Sequence, residues 1–315
     1  DILSGYSVRD RERAVRNIRH IKDNTLSFQT LRGRRLLSMI LPQFLHEALK
    51  TGNPDKAINN LQSFALLLAS EGSYLEMFAG NARIIPALAN IFSRSEYLSK
   101  NIIKRQAYLE LLGHELFAKK TLRSLKKELS ENILQGKSIA DSIRMLRQME
   151  EIRLGILFLE RKIDTMRLVK GISKASEAVL SVCTGELSKD GLAVIGMGKA
   201  GGRELTFSSD LDLIFACGKE ITETDIKAAE RLIRLLTSHT KDGIAYNVDA
   251  RLRPDGTKGP LVSTLDAFRD YYSKAAHFWE FQALLKARPV AGNRTAGCSF
   301  MEMRRDVLLG KGVGV

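Results

Sequence analysis

From residue 87 to residue 253 the chain contains no proline, although Pro42, Pro54 and Pro86 punctuate the part before it and Pro254, Pro260 and Pro289 the part after. Proline removes a backbone donor and clashes with the preceding helical turn, so a long stretch without it leaves extended helices open to the chain. The apolar spacing takes up that freedom. Ala14, Ile18 and Ile21 stand at helical intervals on a charged background and predict a helix over Arg9–Phe28. A second is expected over Leu36–Ala48, stopping near Thr51-Gly52-Asn53. Pro54 then sits in the first turn of the next, with Asn53 as its N-cap. Further helices are expected over Tyr74–Phe92, Ser95–Leu111, Lys119–Ile133 and Ser138–Leu159, the last running on towards Leu187. No fixed-period repeat stands out.

The texture changes at Lys189-Asp190-Gly191. GLAVIG (191–196) and LDLIFAC (211–217) are short apolar runs of strand character, and IAYNVDARL (244–252) alternates in part, as a third strand would. Thr224–Thr240 reads as a helix with Ile226, Leu232, Ile233, Leu235 and Leu236 on its buried side and Lys241-Asp242-Gly243 as its stop. Ser263, with Asp266 three residues on, is expected to cap a helix over Thr264–His277, and Phe278–Ala287 to form another, packed through Trp279. The fold class is therefore α+β. A long all-helical region, residues 1–188, precedes a small mixed β-sheet flanked by helices, residues 189–315.

Lys and Arg number 49 against 36 Asp and Glu, a net charge of +13. A field of that sign draws polyanions without choosing among them. Acids are interleaved through nearly every helix and no aromatic-interleaved basic patch occurs, so a stable nucleic-acid partner is not expected. Cys183, Cys217 and Cys298 lie far apart, which excludes a disulfide framework and a thiolate metal cluster. Apolar runs such as FALLLA are far too short to span a membrane, and the polar, acid-bearing N-terminus is no signal peptide. A cytoplasmic chain is expected. It starts with Asp and so reads as a piece of a longer protein.

The chemistry concentrates in GMGKAGGRELTFSSDLDLIF, residues 196–215. The glycines fit close approach of backbone to phosphate, but GxxxxGK[ST] is absent, and the helix context and ribose-binding acid of a dinucleotide fingerprint are missing. Asp210 and Asp212 flank Leu211 at the mouth of a strand, so both carboxylates face one side while Leu211 and Leu213 face the core. Like charges so placed repel, and a hard cation such as Mg²⁺ would join them. Asp249, in YNVDARLRP, can reach the same side from the next strand. Three such carboxylates can hold two metal ions about 4 Å apart. The histidines are scattered, and neither HExxH nor GxSxG occurs.

A glycine-rich turn leading to Asp-x-Asp, with a later strand Asp, resembles the DNA polymerase β-like nucleotidyltransferases. With YNVDARLRPDGTKGPLVSTLDAF and WEFQALLKARPVAGN, the chain looks like the glutamine synthetase adenylyltransferase (glutamate–ammonia ligase adenylyltransferase) family, most like its second, adenylylating domain with the helical region before it. Ala200 stands where leucine is usual in the family signature. The resemblance implies transfer of AMP from ATP to a tyrosine hydroxyl of glutamine synthetase, with Mg²⁺ held by Asp210, Asp212 and Asp249 and a PII-type nitrogen signal protein as regulator. It places Gly198, Lys199, Gly201, Gly202 and Arg203 around the triphosphate, with Ser209 capping the turn or touching phosphate. Arg251 and Arg253, two apart on the side of Asp249, would hold polyphosphate or an acidic substrate loop, Glu204 would anchor Arg203 or Lys199, and Lys286 and Arg288 would reach nucleotide or substrate. Phosphorolytic removal of AMP by the same acids, and a non-catalytic basic nucleic-acid-binding or scaffold module, are the alternatives.

Overall fold

The computed structural model describes residues 2–25, 30–68, 75–78, 84–105, 108, 116–187, 191–218, 220–240 and 243–310. They form two compact units, residues 1–118 with 152–164, and residues 119–151 with 165–315.

The first unit holds α1 (Arg11–Thr25), α2 (Leu31–Lys50), α3 (Pro54–Leu68), α4 (Ile84–Arg94) and α5 (Glu96–Lys104). Thr30 caps α2 by accepting from the Gly33 amide (3.1 Å), and Asn53 Oδ1 accepts from Lys56 ahead of α3, as its place before Pro54 predicts. α3 packs on α1 and α4, and α2 on α3 and α4. Phe44, Phe64, Phe78 and Phe92 meet in the middle, with ring centroids 5.4–6.2 Å apart. The expected helices over Tyr74–Phe92 and Ser95–Leu111 are realised as α4 and α5; residues 69–74, 79–83, 106–107 and 109–115 lie outside the described residues.

The second unit begins with α6 (Leu122–Leu134), opened by a Thr121–Ser124 capping box, the part of α7 (Ile139–Leu159) up to Glu151, and α8 (Thr165–Leu187). The sheet follows: β1 (Ala193–Gly196), the short helix α9 (Gly198–Gly202), β2 (Leu211–Cys217), α10 (Glu223–Thr237), β3 (Val248–Asp249), β4 (Val262–Thr264), α11 (Leu265–Lys274), α12 (Phe278–Leu284), β5 (Arg288–Gly292) and α13 (Arg294–Leu308). Lys189 and Asp190, the turn where the texture changes, lie outside the described residues.

Five strands form one mixed sheet in the order β3-β2-β1-β5. β1 pairs antiparallel with β2 and β5, while β3 and β4 both run parallel to β2 and share its outer edge, β3 beside Leu211–Asp212 and β4 beside Phe215–Cys217. Ile195, Met197, Ile214, Phe268, Tyr272, Leu284, Phe300 and Met303 form the core that seats α11–α13 on this sheet. Burying a side chain of that size stabilises the fold by about 1.5–3 kcal/mol.

Several local expectations change. The third strand is only Val248–Asp249, because the amides of Ala245 and Tyr246 bond the Leu236 carbonyl at the end of α10 and not a strand ladder. Thr264, not Ser263, caps α11; Ser263 is buried in β4. α10 ends at Thr237, and Ile226 is exposed because the buried stripe runs through Asp225, Ala228, Ala229, Leu232 and Leu236. Trp279 does not pack the small domain. It is 52% exposed and Phe278 77%, since Glu280 and Leu284 face inward, Glu280 taking the Tyr271 hydroxyl (2.6 Å) and the His277 amide (2.8 Å). Among the described residues, no helix is long and apolar enough to cross a membrane.

Candidate active site

The site is built on the mouth of β2. Asp210 precedes the strand and is exposed, Leu211 is fully buried, and Asp212 is half-buried, the alternation that a period of two requires. β3 lies parallel with Leu211 opposite Val248 and Asp212 opposite Asp249. The third acid therefore stands beside the second in strand register. Asn247 completes the arrangement: its carbonyl accepts from the Leu211 amide (2.9 Å), and its side-chain amide donates to Asp210 Oδ1 (3.0 Å).

The glycine turn is pressed against this edge. The Met197 amide bonds the Asp212 carbonyl (2.8 Å), continuing the β1–β2 ladder by one rung, and Gly198 follows with φ +47°. A methyl group on Gly198 would collide with Asp212 Oδ2, and one on Gly201 with the carbonyls of Lys286 and Gly196. At Gly201 only glycine lets the backbone come so near these carbonyls, and at Gly198 the positive φ favours glycine as well. Lys199 is exposed on the turn, and its charge reaches Asp212.

Burial raises the Asp212 carboxyl above its ordinary range, the charges of Asp249 and Asp210 raise it further, and Lys199 and Arg251 oppose them. Asp249 is shifted the other way, chiefly by hydrogen bonds from the Arg251 side chain. Arg251 Nε lies 3.0 Å from both Asp249 oxygens, Nη2 lies 2.6 Å from Oδ2, and its backbone amide donates to Oδ1 (2.9 Å).

The donor chemistry fits Mg²⁺, since the three acids offer hard oxygens whose mutual repulsion a cation would relieve. As they stand, no group of three His, Cys, Asp or Glu among the described residues is gathered closely enough to hold a metal. Asp210 is occupied by Asn247, and Asp249 by Arg251.

The remaining candidates divide. Gly201 and Gly202 lie in α9, and Arg203 ends it in the left-handed region (φ +58°). Arg203 does not pair with Glu204; its Nε donates to Glu177 in α8 (3.1 Å), and Glu204 pairs with Lys286 (2.6 Å). Ser209 caps its own turn, its Oγ accepting from the Thr206 amide (3.0 Å). Arg251 and Arg253 are not on a strand, which stops at Asp249. Arg253 donates to the carbonyls of Ala250 (2.7 Å) and Gly259 (3.3 Å) and braces the 254–259 turn. Arg288 points inward to the Gly201 carbonyl (2.7 Å), the Ala200 carbonyl (3.2 Å) and Glu177.

Glu177 and Asn247 hold the site without belonging to its motif. Asn247 could have been found, being two residues before Asp249 and so on its side of a strand. Nothing in the sequence around Glu177 signals that its carboxylate, buried in a helix, anchors the glycine turn through Arg203 and Arg288.

A mixed sheet whose mouth carries two aspartates in cross-strand register, with a third just ahead of them and a glycine turn against Asp212, defines an α+β protein with a carboxylate-lined site. The glutamate-ammonia ligase adenylyltransferase family model matches residues 85–303, most of the chain, and the chain belongs to that family. It is 30% identical to the bifunctional glutamine synthetase adenylyltransferase/adenylyl-removing enzyme of Xanthomonas campestris pv. campestris (strain B100), over 87% of this chain and 32% of that protein. The enzyme of the same description from Thioalkalivibrio sulfidiphilus is 28% identical over 98% of this chain and 36% of its own length. That from Mycobacterium leprae is 29% identical over 91% and 31%. The chain thus spans about a third of the length of these curated relatives.

Proposed function

We propose that the chain transfers AMP from ATP to a tyrosine hydroxyl of glutamine synthetase, releasing pyrophosphate. The observation that carries this reading is the register of Asp212 against Asp249, with Asp210 two residues before Asp212 and Gly198 pressed against the Asp212 carboxylate. Mg²⁺ bound by Asp210, Asp212 and Asp249 would neutralise phosphate charge and make the attacking hydroxyl more acidic. The chain's own groups do the positioning. Backbone amides of the Gly198–Gly202 turn approach the phosphates, Lys199 and Arg203 supply positive charge, and Ser209 keeps the turn closed ahead of Asp210. Asp249 would take the tyrosine proton as the oxygen–phosphorus bond forms. Arg251 supplies a guanidinium for the polyphosphate, and Arg253 holds the turn that follows it.

Family membership supports glutamine synthetase as the protein substrate and a PII-type nitrogen signal protein as regulator, in the cytoplasm. Removal of AMP by phosphorolysis is the second reading, favoured by the adenylyl-removing activity named in the relatives. Incubating the chain with glutamine synthetase and labelled ATP, and in parallel with adenylylated synthetase and phosphate, separates the two directions. Label entering the unmodified synthetase is the expected result. Asp210→Asn or Asp212→Asn should lower that incorporation by roughly a hundredfold or more while the chain stays folded. Retained activity in either variant removes the paired-acid assignment.

A further inference from the structure

A carboxylate that is to share a cation needs an oxygen to spare, and Asp249 has both of its oxygens committed to Arg251. The clasp is local. Donor and acceptor are two residues apart, and the Arg251 backbone amide also bonds Asp249, so the pair closes within one turn just after β3. Arg251 is exposed and its side chain bonds only Asp249 among the described residues, so no packing holds the guanidinium there. Exposed ion pairs of this kind exchange readily. Across the pairing, Asp212 is already crowded by the charges of both other acids, and Arg251 is one of the cations that relieve it. A guanidinium clasps phosphate bidentately as it does a carboxylate, and a polyphosphate brings more negative charge to draw it.

We propose that Arg251 is a resident counter-ion that couples the site's two ligands, holding Asp249 until a polyphosphate draws its guanidinium away and frees the carboxylate for a divalent cation. Free cation then meets a site missing one ligand, and cation with nucleotide meets a complete one. The proposal rests on the nucleotidyl-transfer reading above and adds an order to it. By reciprocity, whatever factor the nucleotide adds to cation affinity, the cation adds to nucleotide affinity.

The test uses the 315-residue chain and Mn²⁺ as probe. Free Mn²⁺ is followed by electron paramagnetic resonance with no nucleotide present, and α,β-methylene-ATP binding by equilibrium dialysis in excess Mn²⁺. Arg251→Gln should bind Mn²⁺ alone about fivefold or more tightly than wild type, and bind the analogue at least about fivefold more weakly. The gain in Mn²⁺ affinity should vanish in Arg251→Gln/Asp249→Asn. Arg251→Lys, which keeps the charge but cannot clasp both oxygens with a rigid fork, should fall between, and carries the comparison should Arg251→Gln melt below wild type. If Arg251→Gln binds Mn²⁺ no more tightly than a wild type that does bind the Mn²⁺–nucleotide, the counter-ion role is overturned and the nucleotidyl-transfer reading stands. A wild type that takes up no Mn²⁺–nucleotide overturns both.

Discussion

Asp212 sits half-buried between two other carboxylates, and burial together with the charges of Asp249 and Asp210 holds its carboxyl above the usual aspartate range. Because the folded state binds this proton more readily than the unfolded one, its favourable contribution to stability belongs to acid and is lost as pH rises through the raised value. At neutral pH the ionised group therefore works against the fold. In chelator, Asp212→Asn should raise Tm at pH 7 by about 1–3 °C. Thermal melts across pH should show the gain shrinking on acidification and gone below the ordinary aspartate value of about 3.9. Asp249 has the opposite sign: Arg251 lowers its carboxyl, so its contribution is present above the ordinary value and is lost as pH falls through the lowered one. Two acids in register thus respond to pH in opposite senses. The difference comes from the burial of Asp212 on one side and the guanidinium bonded to Asp249 on the other.

At the scale of elements, the segment between α10 and β3 is held by α7 as well as by its own sheet. Arg144 is fully buried and spends its guanidinium on the carbonyls of Ala140, Ser238 and Gly243. One turn on, Arg147 bonds the Ala245 carbonyl and Glu151, and stands 4.6 Å over the Tyr246 ring. Asn247 and Asp249 follow directly, so helix-borne arginines fix the backbone from which the third acid projects. Arg144→Met would take a charged donor from each of those carbonyls, although that of Gly243 keeps its bond from the Thr240 amide, and should destabilise the second unit by about 3 kcal/mol, read from the denaturant midpoint. Arg147→Lys, which keeps the charge but gives up the planar stack, should cost less by the same measurement. The helix starts need no such distant help. Asn53, Thr121, Thr222 and Asn293 cap their helices from within the first turn.

For the molecule as a whole, the change of texture near residue 188 marks where the sheet begins, while the compact unit that contains the sheet also takes in residues 119–151 and 165–187. α8 packs on α6 and β5, and Glu177 receives Arg203 and Arg288 from the glycine turn and the edge strand. A fragment of residues 189–315 would bare that face and leave both arginines without their buried acid. It should fail to give a cooperative melt by circular dichroism, whereas residues 119–315 should unfold in a single transition. A cooperative melt of the shorter fragment would show that the sheet stands without its helical cover.

The sequence by itself determined whatever depends on neighbours a few residues away. Helical spacing and caps, two sheet strands bounded by glycine, and the same-side placement of Asp210 and Asp212 all follow from backbone periodicity and local hydrogen bonds. The glycines between β1 and β2 were legible for the same reason, because steric tolerance is a property of the residue. Tertiary structure alone decided which distant groups meet. It set Asp249 opposite Asp212, turned Arg288 inward to Glu177, and left Trp279 exposed while Glu280 was buried. Those outcomes turn on desolvation and charge pairing between segments as far as 111 residues apart. No local pattern encodes them, because the energy of a buried charge depends on what the rest of the fold places around it.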